Sequence, residues 1–165
     1  MPETNFTDAF AKSTLTVMAF VAAASSPAAQ APTSPPLSST IGQTEIQEGE
    51  WISGEAEDAI LNFSDGARAS LDVHAHARIL SLSVDGAHLL LEQGRIEWSP
   101  GEEHLPLRLE AGPFEVTCNS AAVVEWLGPE RSVAIESFDA PVFVSGPLVG
   151  EAHRVPSAST LVVRL

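Results

Sequence analysis

The chain has 165 residues, with 8 Lys and Arg against 22 Asp and Glu and a formal net charge of −14. So acidic a chain has no basic stripe with which to displace counterions from a polyanion, which excludes general nucleic-acid binding and electrostatic adsorption to anionic lipid. Its apolar fraction of 44% suits one modest globular domain, and its single cysteine excludes an internal disulfide and a CxxC metal cluster.

The chain divides into residues 1–24, 25–44 and 45–165. In the first part, Ser13–Ala24 reads STLTVMAFVAAA and is uncharged. A spanning helix needs about 20 apolar residues, so this run is short for a membrane crossing. It matches the apolar region of a signal peptide, and Ala22-Ala23-Ala24 before Ser25 is a cleavable sequence. Glu3 and Asp8 offset Lys12, whereas a secretory signal usually opens with net positive charge. The expectation is an export signal or an N-terminal anchor, with membrane contact only through residues 10–24 if they are retained.

Residues 25–44 contain Pro27, Pro32, Pro35 and Pro36 among Ser, Thr and Ala, with no charge. That composition predicts an extended, partly polyproline linker.

From residue 45 the period is 2. Ala67, Ala69, Leu71, Val73, Ala75, Ala77 and Ile79 alternate with Arg68, Ser70, Asp72, His74, His76 and Arg78. Such alternation is that of a strand with one wet face. After Ile79 the apolar set shifts to Leu80, Leu82 and Val84, so a turn or bulge is required near Ala75–Leu80. Asp65-Gly66 and Asp85-Gly86 are hairpin turns by their chemistry. Gln93-Gly94 is expected to separate a further pair of strands. Apolar alternation then continues through Leu105/Leu107/Leu109, Phe114/Val116/Cys118, Ala122/Val124/Trp126, Val133/Ile135, Val142/Val144 and Leu161/Val163/Leu165. Breakers at Ala111-Gly112-Pro113, Gly128-Pro129 and Gly146-Pro147 divide these runs. Short strands at a spacing of about 8–12 residues predict an all-β fold, an antiparallel β-sandwich or β-roll of hairpins. Trp98, Trp126 and Cys118 fall in the inward phase.

The ordered set of segments resembles a known family. Glu50-Trp51 followed by Ala59–Leu71, with its Asp65-Gly66 turn, resembles the opening of a FecR domain. Gly86–Ile96, Leu109–Thr117 and Val142–Leu148 are similar to its later parts, so the likeness runs over about residues 50–165. FecR-like proteins are bacterial envelope regulators. The resemblance implies a periplasmic sensor domain, free or anchored to the inner membrane, that signals by protein–protein interaction. Its partner would be another envelope protein, such as the signalling domain of an outer-membrane transducer, in sigma-factor or iron-uptake signalling. The resemblance implies no catalytic residue and no cofactor. Only about a dozen residues precede the apolar run, so the family's cytoplasmic sigma-binding domain is not expected in this chain. Cys118-Asn119-Ser120-Ala121 also stands where the family usually carries a Gly-Thr pair.

The alternative is chemical. On one continuous strand Asp72, His74 and His76 would project together, and His-x-His on a strand can chelate a divalent metal. With His104, these histidines echo the metal site of a cupin-like β-barrel. Ile79, Leu80 and Ser81 supply no following carboxylate, and Arg108 departs from the second cupin motif. The competing expectation is that the histidines simply face solvent.

Overall fold

The computed structural model describes residues 36–54 and 58–165. The proposed signal or anchor at 1–24, and the linker up to residue 35, lie outside the described residues, as do Glu55 and Glu57. Among those described, every regular element is a strand. They are β1 (Ser39–Ile41), β2 (Thr44–Ile46), β3 (Trp51–Ser53), β4 (Ala59–Phe63), β5 (Arg68–Leu71), β6 (His76–Ser83) and β7 (Gly86–Ser99). There follow β8 (Leu107–Ala111), β9 (Phe114–Cys118), β10 (Ala122–Leu127), β11 (Ser132–Ser137), β12 (Val142–Gly146), β13 (Gly150–Val155) and β14 (Ser159–Arg164).

The pairings form two sheets that share one strand. Sheet A runs β2-β1-β4-β5-β7-β10-β11-β14, and sheet B runs β13-β12-β9-β8-β7-β6-β3. The first half of β7 belongs to sheet B and its second half to sheet A. Leu89 and Leu91 pair with β6 and β8, whereas Ile96 and Trp98 pair with β5 and β10.

Gln93-Gly94 is therefore not a turn between two strands, as its composition suggests. It is the point where one strand passes between sheets. Gly94 has φ +89°, and a Cβ there would lie 2.4 Å from the Cα of Ala75. Only glycine allows that backbone conformation and that approach together.

One pairing is not antiparallel. Residues 87–91 of β7 run parallel to residues 107–111 of β8. Parallel neighbours need a long crossover, usually a helix. Here the second half of β7, lying in sheet A, and the loop from Pro100 to Pro106 together make the crossover. The all-β expectation holds, and the all-hairpin form of it is corrected.

Ordered pairing also begins before residue 45. Leu37 and Ser39 are buried, and β1 pairs with both β2 and β4 inside the segment expected to be linker. The required phase shift is present. A turn closes at Asp72–Ala75, with Ala75 N–H donating to Asp72 O at 3.0 Å. Register then slips between His76 and Ala77 and again between Ile79 and Ser81.

The inner faces of both sheets form one core. Leu61, Leu71, Ile79, Leu89, Leu91, Ile96, Leu107, Leu109 and Ile135 are fully enclosed, each contributing about 1.5–3 kcal/mol by leaving water. Trp98 meets Phe63 edge-on at 5.5 Å, and Trp126 of sheet A meets Phe114 of sheet B edge-on at 6.2 Å. Both tryptophans are core residues, as their phase predicts. Among the described residues, β14, β13, β3 and β2 each pair on one side alone and form the edges of the two sheets.

Candidate interaction surface

The outer face of sheet B carries an exposed cluster of side chains that hold one another. Trp51 is 47% exposed. It stands on β3 beside Arg78 of β6, its register partner, while its neighbour Ile52 points inward opposite Ala77. The His76 ring stacks on the indole at 4.5 Å with planes 7° apart. The Arg78 guanidinium carbon sits 5.6 Å from the indole centroid, within cation–π range. Both flanking side chains are themselves held. His76 Nδ1 lies 2.6 Å from Glu92 Oε2 and donates to it, and Arg78 Nε donates to Gly49 O at 2.9 Å. Glu92 has no cross-strand partner because the bulge at His76/Ala77 skips it, which frees its carboxylate to reach the imidazole.

Next to this cluster runs a charge ladder. His88, Arg108, Thr117 and Phe143 occupy successive strands in one register row, and Leu90, Glu110, Glu115 and Ser145 occupy the adjacent row. Arg108 Nε lies 2.9 Å from Glu115 Oε1. His88 Nε2 lies 3.0 Å from Glu110 Oε1 without the geometry of a hydrogen bond. A shallow groove lined by Ser81, Asp85, His88, Arg108 and Thr117 opens at the end of the ladder. Phe143, 38% exposed, lies beyond it on β12. The face thus has an aromatic ring toward each end and, between them, Arg108 beside the facing carboxylates of Glu110 and Glu115.

The predicted histidine chelate does not form. β5 stops at Leu71, and Asp72-Val73-His74 lies in a turn where the Asp72 carboxylate accepts the His74 backbone N–H at 3.2 Å. His74 therefore shares no strand face with His76. His76 is committed to Trp51 and Glu92, and His104 lies in a loop at φ 52°. Among the described residues no group of three metal-ligating side chains converges. What hid the turn is that its apolar and polar residues continue the alternation of the strands on either side. An Asp at the first turn position was the available signal.

Cys118 is fully buried, and burial pushes its thiol from 9.0 up to about 12. It is a core residue and a poor nucleophile at neutral pH. The raised value favours the neutral thiol in the folded state, so its contribution to stability is present below pH 9 and is lost as pH rises from about 9 toward 12. Native protein at pH 8 is expected to leave a thiol reagent unreacted until denaturant is added. The alkaline fall in melting temperature should be smaller in Cys118→Ala. Rapid labelling of folded protein would show the thiol to be accessible after all.

No protein-family model and no curated protein matches the chain. Solved structures do match. Two crystal structures of a candidate anti-sigma factor from Parabacteroides distasonis ATCC 8503, at 2.50 Å and 1.65 Å, superpose with TM-scores of 0.57 and 0.58. Sequence identity is 17% and 16%, over 70% of this chain and 55% of theirs. The chain thus spans about half the length of those proteins, and at that identity the likeness concerns the fold. This two-sheet architecture is one that the chain shares with a candidate anti-sigma factor.

Proposed function

We propose that the chain is a non-enzymatic regulatory module of the cell envelope that binds a protein partner through the outer face of sheet B, in signalling linked to an extracytoplasmic sigma factor. The observation that carries the interaction role is Trp51. An exposed indole is a natural binding anchor, since Trp and Arg dominate the energetics of protein interfaces. Here it is fixed in advance by His76 and Arg78, so little side-chain freedom is lost when it is covered. The FecR-like segments and the fold shared with candidate anti-sigma factors support the regulatory direction. The apolar run at 13–24 supports export, with the β domain in the periplasm, free or tethered. Cell fractionation with sequencing of the mature N-terminus tests that placement, and recovery of the protein in the cytoplasm with Met1 intact would contradict it.

The interaction surface has its own test. Trp51→Ala should change stability by less than about 1 kcal/mol, because the ring is half-exposed and outside the core. In host cells lacking the protein, transcript profiling should show one sigma-dependent regulon altered. Wild type should restore that regulon and Trp51→Ala should not. Full restoration by the variant would remove the surface from the mechanism, and an unchanged transcriptome on deletion would remove the regulatory role.

A further inference from the structure

We infer that two copies of this chain associate by pairing β14 against β14 across a two-fold axis at Val162, joining their A sheets. Among the described residues, β14 pairs with β11 alone, so its other side is a free edge. Leu165 N–H donates to Arg131 O at 3.0 Å, in register with the β11–β14 ladder. Bonding direction alternates along an antiparallel strand, so Ser159, Leu161 and Val163 face β11. The backbone N–H and C=O groups of Thr160, Val162 and Arg164 therefore face outward along the edge. The side chains of the same three residues are exposed, Val162 at 61%.

This edge is complementary to itself. With the axis at Val162, each Val162 lies opposite the partner's Val162 and each Thr160 lies opposite the partner's Arg164. All the outward groups are then used, giving about six backbone hydrogen bonds. The two exposed valines cover each other at the centre. No like charges are placed opposite, which an unselected edge pairing often suffers. Thr160 also pairs with Glu136 on β11. Each Arg164 therefore reaches across the partner's Thr160 toward the partner's Glu136, two strands and about 10 Å away at the backbone, within the span of the two side chains. Among the described residues of the single chain, the ion pair of Arg164 is a long 3.9 Å contact with Glu130. A second copy therefore suits this edge better than an arbitrary strand. A pairing of this size buries little area and gives a weak, reversible dimer. Two bodies of charge −14 also repel, so added salt should strengthen the association.

Sedimentation velocity of the full chain between about 1 µM and 1 mM, at low and high salt, tests the inference. A concentration-dependent dimer, tighter at high salt, is expected. Val162→Pro removes the N–H at the axis without touching the β11 ladder. It should weaken the dimer by at least about 100-fold while the chain melts within a few degrees of wild type. If that variant fails to fold, Glu136→Arg and Arg164→Glu take its place: each alone should weaken the dimer, and the two combined should restore it. A monomer at every concentration overturns the inference. So does a dimer that survives Val162→Pro, or one in which the charge-reversed pair shows no mutual rescue.

Discussion

Gly94→Ala is expected to destabilise the domain by about 2–5 kcal/mol. Two costs combine. An alanine at φ +89° gives up about 1–2 kcal/mol to its own backbone. Its Cβ would also stand 2.4 Å from the Cα of Ala75 and 2.8 Å from its nitrogen, and backbone cannot step aside as a flexible side chain can. Overpacking of that kind typically costs a further 1–3 kcal/mol. Against a total stability of about 5–15 kcal/mol, the melting temperature should fall by about 10–15 °C or more. Gly66→Ala is the control. Gly66 has a similar φ of +86°, but nothing lies within 4 Å of the added carbon. Its cost should be the backbone contribution alone. Equal melting temperatures for the two variants would mean that the close approach at Ala75 is not what holds the strand in both sheets.

The second large effect is at Trp126. Truncation to alanine should cost about 3–5 kcal/mol, the range for a large aromatic removed from a core. The ring lies under the β8–β9 turn: a Cβ on Gly112 would come within 2.3 Å of it. Phe114, at its edge, packs in turn against Gly146, where a Cβ would lie 2.7 Å from the phenyl ring. The two sheets are keyed together through this series of glycine, ring, ring and glycine. A double-mutant cycle makes the point measurable. Gly112→Ala should be strongly destabilising in wild type and much less so once Trp126→Ala has emptied the space. Additive effects, or a Trp126→Ala melting curve that overlays wild type, would show that the ring is not the key.

Local chemistry explains most of what the sequence makes legible. The hairpins at Asp65-Gly66 and Asp85-Gly86 form as their residues dictate, because a tight turn depends on a few neighbouring positions. The inward places of Trp98, Trp126 and Cys118 follow from period 2 alone. Gly94 looks like the same kind of signal and is not, since its role is set by Ala75, a residue 19 positions earlier in the chain. β13 reads Gly-Glu-Ala-His-Arg-Val and is exposed at every position but the last. An edge strand wet on both sides leaves no alternation to detect. β1 is hidden in its Ser/Thr-rich flank, and its pairing with β4 is equally non-local.

The candidate surface is less legible than the fold for the same reason. His76 draws attention through His74, a false companion two residues away. Its actual neighbours are Trp51 and Glu92, brought in from strands on either side of it. A bulge that leaves Glu92 unpaired has no compositional mark. Nor does the matching of Thr160, Val162 and Arg164 to their own mirror order become visible until the side of β14 facing β11 is known.

Because one backbone serves as a rib of both sheets, the two sheets of the described β domain are covalently one piece at β7. A load applied at Trp51 on the edge strand β3 passes through β6 into β7, and from there along one backbone into sheet A. Such a body is suited to holding one partner at a fixed bearing to another, rather than to closing around either.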